Sequence, residues 1–182
     1  FTPSLAGAHQ GRNAAIAIAV SVHLKTMGNK LEKSKIIRAL ETTCWPGRLE
    51  VISQRPVVLV DGAHNIEGAT ALEAYIKEFV SPAPVLIFAV MRDKKIEDMV
   101  RILFPCAKKV IITRFPYYKA AVPEDVAAKA PKFRDRILVE PDLDKAVAAA
   151  LEEAAPDGVV LAAGSLFLAG ELKKRFPKTA AE

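Results

Sequence analysis

The chain has 182 residues, 51% of them hydrophobic, and a formal net charge of +5. That length and apolar content allow a real core, in one large domain or one domain with an appendage. No run reaches the roughly 18 to 20 uncharged residues of a membrane span, and the positive charge is spread in small groups such as Lys94-Lys95, Lys108-Lys109 and Lys173-Lys174-Arg175, which favours a small anionic ligand over nucleic acid.

The opening, FTPSLAGAHQGRNAAIA, starts on Phe1 rather than a methionine and passes at once into helical spacing, so the chain reads as a piece of a longer protein. Residues 9–27 repeat alanine, isoleucine and valine as a helix does, Gly28-Asn29 stops it, and residues 34–43 carry a second, amphipathic helix. After Trp45-Pro46-Gly47 the pattern changes. LEVIS and VVLVD read as strands around the turn at Gln54-Arg55-Pro56, and residues 66–80 follow as a helix. Then come strand VLIFAV, helix IEDMVRILF, strand KVIITR, a short helix over 124–129, strand RILVE, helix DLDKAVAAALEEA, strand GVVLAA and a last helix over 166–176. This alternation predicts an α/β fold with a mostly parallel sheet and helices on both faces. The domain boundary falls near Trp45, dividing a helical unit (1–45) from an α/β domain (46–182). The two cysteines, Cys44 and Cys106, match no metal or redox spacing and read as buried thiols of a reducing cytoplasm.

In such a sheet, ligands bind beyond the carboxyl ends of the parallel strands. That rule selects residues 61–65, 91–95, 113–119 and Gly164-Ser165. No G-x-G-x-x-G and no G-x-x-x-x-G-K-[ST] occurs, which argues against a dinucleotide dehydrogenase and against a self-sufficient phosphate-loop ATPase. Asp61, at the end of an aliphatic strand, suits the vicinal hydroxyls of a ribose or caps a turn. Gly62 would let a ligand approach the backbone closely. His64, between a glycine turn and a helix start, can donate to a phosphate oxygen or stand solvated. Asn65 reads foremost as the N-cap of the next helix. Arg48 follows a Pro-Gly turn that would hold its guanidinium on a rigid base facing a phosphate, with a plain surface arginine as the alternative. Lys94 could reach an anion or be solvated, and Ser165 could face a carboxylate or cap a helix.

Taken together, WPGRLEVI, DGAHN after an aliphatic strand, DK after the next strand and GSLFLAGE resemble the C-terminal domain of folylpolyglutamate synthase and bifunctional dihydrofolate synthase, a branch of the Mur ligase superfamily. GAHQGRNAAIA is similar to the segment that ends the central ATPase domain of these enzymes. The resemblance covers nearly the whole chain, and DGAHN combined with the upstream PGR is its most specific part. It implies a Rossmann-like sheet preceded by two helices from the end of that ATPase domain, and an ATP-dependent amide ligase acting as a monomer. ATP would phosphorylate the terminal carboxylate of a folate or dihydropteroate, and L-glutamate would attack the acyl phosphate, with Mg²⁺ screening the phosphates. Carried over by residue, Asn13 would contact adenine, Arg48 the ATP phosphates, Asp61 the ribose and His64 the γ-phosphate and reacting groups. Ser165, Lys94 and Lys119 would lie on the glutamate side. The phosphate loop, the magnesium ligands and most of the folate site are expected in an N-terminal ATPase domain absent from this chain, which alone should be inactive. Tyr118-Lys119-Ala120 departs from the family, which tends to carry an arginine before the alanine. A Mur-type cell-wall ligase taking a UDP-linked peptide and a non-catalytic nucleotide-binding module are the alternatives.

Overall fold

In the computed structural model, which describes residues 1–176, two helices come first, α1 (Ala8–Thr26) and α2 (Lys33–Thr42). A hairpin of β1 (Glu50–Gln54) and β2 (Val57–Val60) follows. The rest alternates: α3 (Ile66–Phe79), β3 (Val85–Phe88), α4 (Ile96–Leu103), β4 (Lys109–Ile112), α5 (Pro123–Ala128), β5 (Ile137–Val139), α6 (Leu143–Ala154), β6 (Val159–Ala163) and α7 (Leu166–Arg175). The elements expected from hydrophobic periodicity are therefore present. Two short 3-10 segments, Phe104–Cys106 and Pro131–Arg136, were not foreseen; each carries a proline in its first two positions, where the fixed φ suits a tight turn.

The six strands lie in the order β1-β2-β6-β3-β4-β5. Four of the five pairings are parallel, and the exception is β1 with β2, whose short turn permits only an antiparallel return. The last strand in sequence thus sits between β2 and β3. Successive strand residues alternate between the two faces. Leu59, Leu86, Phe88, Val110, Ile112 and Leu161 join a core with α3, α4 and α5, whereas Val58, Val60, Val85, Ile87, Ile111 and Val160 join another with α6 and α7. Burying both faces explains why these strands read as unbroken aliphatic runs.

The first 45 residues pack differently. Along α1 only Gln10 and Ala14 are buried, and Ile16, Val20, Val22 and Leu24 are exposed, as is Met27 just after it. Cys44 is exposed as well, and Cys106 is half-buried. The expectation of buried thiols therefore fails for Cys44, which lies in the connector after α2 and outside both cores. Among the described residues, no helix is long and apolar enough to cross a membrane.

Candidate functional site

The site starts where β2 ends. Asp61 is the first residue beyond the strand and is buried, with 6% of its surface exposed. Its Oδ1 accepts from the Ala63 amide at 2.8 Å and its Oδ2 from the Leu49 amide at 3.0 Å. The carboxylate therefore clasps the turn that carries Arg48 to the turn after β2, a tie that the capping alternative for Asp61 only partly anticipates. Burial pushes its pKa above the ordinary carboxylate range, against the pull of the Ala63 and Leu49 amides and of Arg48 and His9.

The clasped turn is unusual backbone. Gly47 and Leu49 both take positive φ, 69° and 46°, and a leucine there is held against its own preference. The Gly62 amide donates to the Gly47 carbonyl at 2.7 Å, and the Gly47 amide donates to Glu50 Oε2 at 2.9 Å. At Gly62 a Cβ would lie 2.2 Å from Leu166 Cδ2 and 3.2 Å from the Gly47 carbonyl, so the missing side chain gives room to α7 and to the neighbouring turn.

Beside this clasp lies a cavity of about 550 Å³ whose walls include Asn13, Arg48, Asp61 and His64. Four residues spread over fifty positions of sequence are thus gathered by the start of α1, the 46–50 turn and the start of α3. Arg48 is half-buried and, among the described residues, makes no hydrogen bond or ion pair. A partly desolvated cation with no hydrogen bond or ion pair among the described residues is suited to an anionic ligand. His64 Nδ1 donates to the Gly62 carbonyl at 2.7 Å, which fixes the ring and leaves Nε2 able to donate only as imidazolium. Asn13 donates to the buried Gln10 at 3.0 Å. Asn65, as expected, caps α3 through the Gly68 amide at 2.8 Å.

Sequence reading missed His9, Gln10 and Trp45, which also line the cavity. The only signal was proximity to Asn13 and Arg48. The His9 ring lies over Gly7, where a Cβ would come within 2.9 Å of its Cε1. Burial lowers the His9 pKa from 6.5; Asp61 pulls it up, and Arg48 and Arg12 push it down. The neutral ring is thus the form that folding favours, so the stability it contributes is present above pH 6.5 and is lost as pH falls through the lowered value. NMR titration of the His9 ring should give a midpoint below 6.5 that rises in Arg48→Met and falls further in Asp61→Asn. Unchanged midpoints in both variants would show that the three groups do not share one electrostatic environment.

Ser165, Lys94 and Lys119 stand outside this cavity. Ser165 is buried and caps α7, its hydroxyl accepting from the Phe167 amide at 3.1 Å. Because β6 lies between β2 and β3, this cap sits between the loops that follow those strands; Gly164 donates to the Ala63 carbonyl at 2.9 Å. Lys94 pairs with Asp93 at 3.6 Å, and the Lys119 ammonium lies 5.5 Å from the Tyr118 ring centroid. Their two loops are joined, the Arg92 amide donating to the Lys119 carbonyl at 2.9 Å. Beside them Phe115, Phe167 and Tyr117 stack in a row, with centroids 5.6 and 4.6 Å apart, a feature that the sequence reading passed over.

Comparison with known proteins adds independent findings. Residues 47–166 match the model of the Mur ligase, glutamate ligase domain. The chain is 29% identical over 174 residues to the dihydrofolate synthase/folylpolyglutamate synthase of Bacillus subtilis, a match covering 94% of this chain and 40% of that protein. It is 32% identical over 171 residues to the folylpolyglutamate synthase of Lacticaseibacillus casei, covering 93% and 39%. Among solved structures, Mycobacterium tuberculosis folylpolyglutamate synthase complexed with ADP and AMPPCP superposes with a TM-score of 0.84 at 27% identity, over 96% of this chain and 41% of that one. The chain therefore spans about two fifths of the length of these relatives.

Proposed function

Starting from a chain that belongs to the Mur ligase family through its glutamate ligase domain, we propose that it serves the ATP-dependent addition of L-glutamate to a folate or dihydropteroate. The observation that carries this reading is Arg48, a half-buried cation without a described partner, set beside buried Asp61 on a cavity of about 550 Å³. Residues 46–182 form the ligase domain, and residues 1–45 belong with an ATPase domain that supplies the phosphate loop and most of the acceptor site.

In this reading Arg48 binds the ATP phosphates as a bidentate fork. Asp61 takes the ribose hydroxyls on the lone pairs left over from its two backbone bonds. Asn13, steadied by Gln10, faces the adenine. His64 faces the γ-phosphate. The γ-phosphoryl group passes to a terminal carboxylate oxygen of the acceptor, ADP leaves, and the amine of L-glutamate attacks the acyl carbon. Loss of the amine proton and expulsion of phosphate complete the amide. The chain's part is positioning and cationic stabilisation, which dominate phosphoryl transfer. Ser165, Lys94 and Lys119 lie toward the incoming glutamate, with Lys119 offering a point charge where the relatives tend to offer a fork. The ligands of Mg²⁺ are assigned to the ATPase domain.

The test is incorporation of labelled L-glutamate into dihydropteroate and into tetrahydrofolate. The 182-residue chain should give none, and the protein joined to its ATPase domain should give product with at least one acceptor. Robust incorporation by the chain alone would overturn the division of labour. No ATP-dependent product from the longer protein would overturn the ligase reading.

A further inference from the structure

We propose that Glu50 and Lys173 are positioning residues for Arg48, an inference that rests on the ligase reading above. Among the described residues Arg48 makes no hydrogen bond or ion pair, so the backbone of its turn bears on where its guanidinium points. That backbone is a turn with two positive φ values that no helix or strand ladder supports. Asp61 and Gly62 hold one side of it. Glu50 holds the other, its Oε2 accepting from the Gly47 amide at 2.9 Å while its carboxylate pairs with Lys173 at 2.8 Å.

The pair is well placed for this task. Its side chains are only 15% and 31% exposed, and it joins positions 123 residues apart. Lys173 lies in the last turns of α7, and a Cβ on Gly47 would meet Leu166 and Ala169 of the same helix at 3.4 Å each. The turn is therefore seated on α7 by packing at Gly47 and pinned there by charge at Glu50. Removing the Lys173 charge takes away one of the bonds that hold the Glu50 carboxylate in place, and its hold on the Gly47 amide would weaken. Because α7 begins at Ser165, the same helix carries the serine assigned to the glutamate side and the lysine that steadies the phosphate side.

Lys173→Met keeps the apolar stem and removes the charge. In the 182-residue chain, amide exchange at Gly47 should accelerate while the buried amides of β2 stay as protected as before. Exchange unchanged at Gly47, or raised equally in β2, would overturn the proposal, and this readout does not depend on ligase activity. In the longer protein, Lys173→Met should raise KM for ATP roughly three- to tenfold with little change in kcat, and Lys173→Arg should restore it. Placed on Arg48→Ala, Lys173→Met should cost nothing further, because the residue it positions is gone. Losses that multiply in the double variant would mean that the pair acts independently of Arg48, and the assignment would fall.

Discussion

Arg48→Ala is expected to lower kcat/KM for ATP in the ligase by about 100-fold or more while shifting the folding free energy by no more than about 1 kcal/mol. The asymmetry follows from the placement of the residue. Its guanidinium forms no described bond whose loss would unfold anything, and it faces a cavity where charge would otherwise be poorly solvated. Arg48→Lys should recover only part of the loss, since an ammonium keeps the charge and forfeits the two-pronged geometry. The removal has a secondary effect. Arg48 is one of the groups holding the Asp61 pKa down, so the buried carboxylate becomes harder to ionise without it. Steady-state kinetics and a denaturant melt on the same preparation decide the matter, and wild-type kinetics would return Arg48 to the status of a surface residue.

Asp61→Ala has the opposite profile, with a large structural cost and a functional cost that follows from it. Two buried amides, those of Leu49 and Ala63, lose their acceptor, at about 1–3 kcal/mol each. Relief of the buried charge offsets part of this, giving a net loss of roughly 2–4 kcal/mol. The pH dependence has a definite sign. The folded pKa lies above the ordinary 3.8, so the stability this group contributes is complete below 3.8 and falls as pH rises through the raised value. The gap between wild type and Asp61→Ala, measured as a difference so that other groups cancel, should therefore widen on acidification. Nucleotide preference separates the clasp from a ribose contact. If Asp61 meets the ribose, the wild type prefers ATP over 2′-deoxy-ATP and Asp61→Ala loses that preference along with its use of ATP. Equal use of both nucleotides by the wild type would leave Asp61 as a clasp alone.

What could be read in advance was whatever depends on near neighbours in sequence. The aliphatic runs at 57–60, 85–88, 109–112 and 159–163 are strands because both faces of the sheet are covered. Asn65 caps its helix because the amide it needs is three residues away. The gathering of Asn13, Arg48, Asp61 and His64 on one cavity was legible only through family resemblance, since no local spacing relates Asn13 to Asp61. The illegible features all rest on distant partners. A Cβ on Gly62 would meet Leu166, the Leu49 amide donates to Asp61, and Glu50 pairs with Lys173. His9 escaped notice because its environment comes from Arg48 and Asp61, neither of which is near it in sequence.

The central place of β6 bears on how this chain is made. A nascent chain ending before Val159 has two partial sheets, β1-β2 and β3-β4-β5, and each offers an unpaired edge where β6 belongs. Neither can complete its ladder until the last strand arrives, so the closing contacts are among the most distant in sequence and the slowest to form. Synthesis through β6 therefore precedes assembly of the site, because the loop bearing Asp61 is tied to this strand through Ala162 and Gly164, and the start of the loop bearing Lys94 through Ala163. A chain cut short before Val159 would keep two half-sheets with open edges in place of the six-stranded sheet.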